Sequence, residues 1–189
     1  MEKKHIITIA GKPGSGKSTT SKNLAKALGY THFSGGDLFR MIAKERGVDV
    51  YQNNVIAESD VSIDERVDTK LREIGSTQDN LVIDSRMAWH WMPYSFKVYL
   101  DLDVTFAAKR ILENIDAERM SIEHIPADLV QYAQELEKRL QSESKRYMNL
   151  YTQNPYDVNN YDCVVDTAVY NQEQVTQLIL EAYTQRRSK

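Results

Sequence analysis

The chain has a single cysteine, Cys163, among its 189 residues. An internal disulfide is therefore excluded, and a reducing compartment, the cytoplasm, fits the composition. Cys163 lies in an apolar run and reads as core rather than as a nucleophile. Long hydrophobic runs are missing too. The first, Ile6-Ile7-Thr8-Ile9-Ala10, is cut by Gly11 and is too short for the apolar centre of a signal peptide. No later run reaches membrane-spanning length, so no membrane partner is expected. Charge of one sign is also lacking. Lys plus Arg number 24 against 27 Asp plus Glu, for a net charge of −3, and no basic tract stands out. Nucleic acid is therefore not an expected partner. There is no internal repeat, no low-complexity segment and no Asn-Lys-x-Asp guanine motif. What remains is 41% hydrophobic and 27% charged, the balance of a globular protein, in a length that suits one domain with a full core.

Glycine is sparse, with eight in the chain, and it is unevenly spent: Gly11, Gly14, Gly16, Gly35 and Gly36 occupy two short stretches. The first is Gly11-Lys12-Pro13-Gly14-Ser15-Gly16-Lys17-Ser18, which fits G-x-x-x-x-G-K-[ST]. A β-branched apolar run precedes it and a segment with helical spacing, 17–28, follows. In that strand–loop–helix context the pattern is a phosphate-binding loop. Backbone N–H groups and the positive end of the helix point at a phosphate, Lys17 reaches the β- and γ-phosphates, and the Ser18 hydroxyl can ligate Mg²⁺. The nucleotide-binding set is thus Gly11, Lys12, Pro13, Gly14, Ser15, Gly16, Lys17, Ser18 and Thr19. The loop implies a bound ATP or GTP and leaves open what is done with it.

Strand-like runs at 5–10, 30–33, 80–84, 97–102 and 161–166 alternate with helical spacing at 17–28, from the second glycine stretch to about 46, and at 104–115, 127–151 and 172–186. This alternation predicts an α/β fold, a five-stranded parallel sheet covered by helices on both faces. Residues 48–78 show helical spacing only, as two short helices forming a flap outside the sheet. Residues 116–126 break the pattern and read as a mobile lid that carries Arg119. Ligands of such sheets sit at the carboxyl ends of the strands. Lys17, then Gly35 and Arg40, then Asp84 and Arg86 follow the first three strands.

Asp84 ends an apolar strand and reads as a carboxylate that holds Mg²⁺ directly or through water. Arg40 and Arg86 are not needed for the first nucleotide. Their planar, bidentate donors suit a second phosphorylated ligand, the acceptor. Arg139, Glu143 and Arg146 share one face of the long helix, either as a surface ion-pair ladder or as a charged face turned into the cleft. Arg110 or Arg119 can close over a transferring group.

These residues resemble the nucleoside monophosphate kinases of the P-loop kinase superfamily, and within them the short cytidylate kinases. Ser34-Gly35-Gly36-Asp37-Leu38-Phe39-Arg40 resembles the segment that opens the acceptor site, Ile83-Asp84-Ser85-Arg86 the strand-end motif, and Phe96 to Asp101 the strand before the lid. Arg139, Glu143 and Arg146 fall on the family's arginine–acid–arginine pattern, and the C-terminal stretch from Val164 resembles the family's end. Three departures stand out: Ser85 where glycine is usual, with Trp89-His90-Trp91 after it; Asn114 in place of a second lid arginine; and a flap at 48–78 that is generic helix and does not itself point to cytosine.

The resemblance implies a single domain over 1–189, with core 1–47 and 79–189, an acceptor-binding flap at about 37–78 and a lid at about 114–126. It implies transfer of the ATP γ-phosphoryl group to CMP or dCMP, with Mg²⁺, in a cytoplasmic monomer. Lys17, Arg86, Arg139, Arg110 and Arg119 would be catalytic. Ser34, Gly35, Asp37, Arg40, Arg86, Arg139, Glu143 and Arg146 would bind the acceptor, the last carboxylate and guanidinium reading the base. Ser18 and Asp84 would hold the metal. The alternatives are a kinase of the same fold for AMP, UMP or another small molecule, and a non-catalytic or regulatory nucleotide-binding protein.

Overall fold

The computed structural model describes residues 4–48, 50–115, 120 and 125–188. Five strands form one parallel sheet in the order β2-β3-β1-β4-β5. They are β1 (Ile6–Gly11), β2 (Thr31–Ser34), β3 (Leu81–Asp84), β4 (Phe96–Asp101) and β5 (Cys163–Asp166). All residues of β1 and β3 are buried, whereas the edge strands β2 and β5 are partly exposed. Both faces of the central strands are covered, which is why they read as unbroken apolar runs rather than as alternation.

Helices α1 (Lys17–Leu28), α2 (Gly35–Glu45), α3 (Val50–Ala57), α4 (Ser62–Thr77), α5 (Ala88–Trp91), α6 (Val104–Asn114), α7 (Leu129–Tyr151) and α8 (Gln172–Arg187) complete the described fold. Ile7, Ile9, Val82, Val98 and Leu100 face Leu24 of α1 and Val175 and Ile179 of α8. On the opposite face Ile6, Leu81 and Ile83 meet Leu71 and Ile74 of α4 and Met92. Ala10 and Tyr99 continue that face toward Trp89 and Tyr147. A fourth cluster, Leu102, Ala107, Ala108, Tyr132 and Leu136, fastens α6 to α7. Cys163 is half-buried at the sheet edge, where burial pushes its thiol above the usual range.

Several expected boundaries move for local reasons. Helix α2 begins at Gly35, directly after β2, with Ser34 Oγ accepting from Asp37 N at 3.3 Å as its N-cap. Gly35 is small because a Cβ there would lie 2.9 Å from Ser85 Cβ. The segment 88–91 is a short helix rather than irregular chain, and α4 reaches Thr77, its far end bedded on the sheet through Leu71 and Ile74. The expected lid falls mainly on 116–119 and 121–124, so the lid and its Arg119 lie outside the described residues.

Register sets where the chemistry can happen. Ile9 pairs with Asp84, Asp84 with Ser34, and Gly11 with Leu100. The carboxyl ends of β1, β2 and β3 therefore stand side by side, at the point where the chain passes to opposite sides of β1.

Candidate active site

A cavity of about 760 Å³ opens over those strand ends. One side is the loop from Pro13 to Thr19, the other is made by α2, α4, α7 and the segment after β3. Gly11 turns the chain out of β1 at φ +148°, where a Cβ would stand 2.3 Å from Leu100 O, so no other residue fits. Helix α1 then starts at Gly16 without any side-chain cap. Its first N–H groups are left for a ligand, which is the basis of anion binding at a helix start.

Lys17 Nζ donates to Gly11 O at 2.8 Å and Lys12 O at 2.7 Å. Burial lowers its pKa to about 7, helped by Arg86 and Arg139 and opposed by Asp84 and Glu143. An incoming polyphosphate supplies the counter-charge that this ammonium lacks. Gly11 and Lys12 do not themselves line the cavity. They hold Lys17, and Lys12 Nζ is tied to Asp101 Oδ1 at 2.7 Å.

Asp84 is 4% exposed. Ser34 Oγ donates to its Oδ1 at 2.9 Å, and His32 Nε2 lies 2.8 Å from its Oδ2. Both partners come from β2 through the parallel register, a contact between strands that no local pattern around His32 signals. Ser18 lines the cavity on α1. One hydroxyl and one carboxylate are hard oxygen donors suited to Mg²⁺, which keeps most of its shell as water and phosphate oxygens. Among the described residues no group of three or more His, Cys, Asp or Glu could hold a metal ion.

Across the cavity the charges are organised around Glu143, which is 2% exposed. Arg86 Nε donates to its Oε2 at 2.6 Å and Arg139 Nε to its Oε1 at 3.0 Å. The Tyr156 hydroxyl donates to Oε2 as well, and accepts from Arg86 Nε at 3.4 Å. Burial alone would raise the Glu143 carboxyl. Arg86 and Arg139 outweigh it and hold it down at about 2. The oxygens of Glu143 are engaged by these three side chains, and it lies behind the arginines rather than in the cavity wall. Arg86 and Arg139 do line the cavity, two cations held in place by one buried anion.

Arg146 also lines the cavity, but its partner is Asp64 of α4, at 2.9 Å from Oδ2, and not Glu143. Arg40 lines it too, with its guanidinium turned to the exposed Asp37 carboxylate. Asp37 is exposed, pairs with Arg40 and does not line the cavity. Arg110 donates to Gly14 O at 3.3 Å, Thr167 Oγ1 at 3.4 Å and Thr167 O at 2.9 Å. It pins the glycine loop to the turn after β5 and walls that end of the cavity, so in this structure it is no free arm over a transferring group. Tyr156, His32, Thr167 and the buried pair Asp64 and Asp68 were missed by the sequence reading. Each works through a contact between elements distant in the chain. The only local hint was the spacing of Asp64 and Asp68, one helical turn apart among apolar neighbours.

Residues 10–125 match a family model described as an AAA domain. The chain is 37% identical over 180 residues to a protein named cytidylate kinase from Halobacterium salinarum, covering 94% of this chain and 88% of that one. A Halorubrum lacusprofundi protein of the same name is 38% identical, covering 93% and 87%, and one from Methanococcoides burtonii is 33% identical, covering 94% and 95%. The chain belongs to the cytidylate kinase family.

It is a nucleoside monophosphate kinase on the P-loop kinase fold. Among solved structures, a shikimate kinase from Acinetobacter baumannii superposes with a TM-score of 0.66 at 18% identity, covering 100% of this chain and 97% of that one. A gluconokinase from Sinorhizobium meliloti gives 0.60 at 14%, covering 98% and 94%. At such identities these two share the fold and carry no argument about substrate. No helix among the described residues is long and apolar enough to cross a membrane.

Proposed function

We propose that the protein transfers the γ-phosphoryl group of ATP to a pyrimidine nucleoside monophosphate, CMP or dCMP foremost, yielding ADP and the diphosphate. The observation that carries this reading is the pair of cations Arg86 and Arg139 on the cavity wall opposite the glycine loop, both anchored on Glu143. One phosphate site on the loop needs no such pair. Two guanidiniums facing it suit a second anion between them. The names of the family's relatives supply the pyrimidine.

Phosphoryl transfer is mostly positioning and charge neutralisation. Lys17 leaves the carbonyls of Gly11 and Lys12 for the phosphates of the donor, and the uncapped N–H groups of α1 hold the phosphate chain. Arg40, released from an exposed partner whose attraction is weak, joins Arg86 on the acceptor phosphate. Arg139 faces the group in transit. No protein base is required, because the acceptor phosphate is an anion at neutral pH. Ser18 and Asp84 would hold Mg²⁺, which when bound neutralises phosphate charge. Arg119, in the proposed lid, would add a further cation and exclude water.

The test is ADP formation from Mg-ATP with CMP, dCMP, UMP, AMP, GMP and no acceptor. ADP should depend on the acceptor and be highest with CMP or dCMP. ADP that forms equally without an acceptor refutes the kinase reading, and transfer to AMP alone refutes the pyrimidine.

A further inference from the structure

Helices α4 and α7 are joined by a polar ladder. The Tyr147 hydroxyl donates to Asp64 Oδ1 at 3.3 Å, and one turn on the Tyr151 hydroxyl donates to Asp68 Oδ2. Asp64 and Asp68 are each 3% exposed and stand at i and i+4, on one face of α4. Burying two carboxylates this close is costly unless each is compensated. Asp64 faces Arg146 at 2.9 Å, although burial still outweighs that cation and raises its carboxyl above the usual range. Asp68 has neutral donors, the Tyr151 hydroxyl and then the Trp91 indole, and burial outweighs both and raises its carboxyl above the usual range. The pull of Arg72 is weaker than that penalty, and its guanidinium lies over the Trp91 ring, 4.5 Å from the centroid.

Asp68 differs from Asp64 in a second way. It lines the cavity, together with Arg146, Tyr147, Phe39 and Asn54. A group that accepts hydrogen bonds therefore stands beside a guanidinium that can only donate, with aromatic faces around them. That donor–acceptor order matters for pyrimidines. A 4-aminopyrimidine offers a donor amine next to the acceptors N3 and O2. A 4-oxopyrimidine offers an acceptor O4 next to a donor N3–H.

We infer that Asp68 is the base-reading residue of the acceptor site, its carboxyl taking the exocyclic amine of a 4-aminopyrimidine while Arg146 donates to the acceptor edge of the ring. Asp64 is a positioning residue that acts through Arg146. The inference rests on the proposed nucleotide acceptor and deepens it. Discrimination comes from mismatch: a 4-oxopyrimidine would set its O4 against the Asp68 carboxyl and leave buried groups unpaired. The competing role for Asp68 is an anchor for Tyr151 alone.

The experiment is calorimetric titration of CMP and UMP into the full chain, without ATP, for the wild type, Asp68→Asn and Tyr151→Phe, with ADP formation measured in parallel. The wild type should prefer CMP. Asp68→Asn keeps the size and an oxygen for Tyr151, and should cut the CMP-over-UMP preference about tenfold or more. Tyr151→Phe should leave that preference within about threefold, since it removes only the rung of the ladder. N4,N4-dimethyl-CMP, which needs no variant, should bind the wild type at least about tenfold more weakly than CMP. The inference is overturned by a wild type that binds CMP and UMP alike, by an unchanged preference in Asp68→Asn, or by equal loss in Tyr151→Phe. Intact discrimination without acceptor-dependent ADP would sink the kinase reading and leave Asp68 in its role. ADP from CMP with discrimination unmoved in Asp68→Asn would do the reverse.

Discussion

At one end of the cavity, the stretch from Gly11 to Ser18 binds through its own backbone, and the groups that matter are neighbours in the chain. At the other end, Arg86, Arg139, Glu143, Tyr156, Arg146, Asp64 and Asp68 come from two helices and two connecting segments and meet only in the fold. The loop end has one buried cation and several unused N–H groups. The far end has ion pairs already formed, Arg86 and Arg139 with Glu143 and Arg146 beside Asp64. The first is built to accept charge from a ligand. The second is built to hold cations still, with the cost of burying them offset by buried anions.

This contrast can be broken experimentally, and the largest effect belongs to the loop. Lys17→Ala should lower kcat by about a thousandfold or more, because a cation aimed at transferring phosphate has no substitute. The fold should remain intact by circular dichroism. A loss below tenfold would mean that the loop binds nucleotide without serving transfer. Because burial brings Lys17 down to about 7, ATP should restore its proton. Calorimetry near pH 8 in buffers of different ionisation heat should then record proton uptake on binding, and none in Lys17→Ala.

Glu143→Gln should act on stability as much as on rate. It leaves the half-buried Arg86 and Arg139 without their anion, at a cost of about 1–3 kcal/mol in urea unfolding at pH 7. Glu143 ionises at about 2 in the fold against 4.5 unperturbed. Its contribution is therefore complete above pH 4.5 and lost as pH falls toward 2, of order 3 kcal/mol. The wild type should lose stability more steeply than Glu143→Gln over that range. Parallel acid limbs would show that Glu143 is not the anchor described.

Arg40→Ala should raise the acceptor KM by about tenfold to a hundredfold while ATP binding and stability change little, since its partner Asp37 is exposed and such pairs contribute under about 1 kcal/mol. Equal weakening of ATP would move Arg40 to the loop end. The smallest effect is expected for Tyr156→Phe, about 1–2 kcal/mol in stability with a kcat reduced severalfold through looser arginines. No change in either would reduce Tyr156 to a packing residue.

The five strands, the glycine loop and the long helix α7 were legible in the sequence because each is a local pattern: unbroken apolar runs for strands covered on both faces, a fixed motif, and a stripe at helical spacing. Arg86 and Arg139 were legible as cations near strand ends or on a marked face. Their sharing of Glu143 was not, because Tyr156 and Arg86 approach it from segments far apart in the chain. The helix at 88–91 was too short to show a period. Asp37 and Arg110 carried the right charge but took other partners, which composition cannot reveal.

The sequence by itself determined the order of strands and helices, the turn at Gly11 and the chemistry of the phosphate loop, since these depend on interactions within a few residues. Only the tertiary structure decided which charges neutralise one another. In a buried site a carboxylate's role follows from the cation nearest it in space: Arg146 went to Asp64, Arg86 and Arg139 to Glu143, and Asp68 was left facing the cavity.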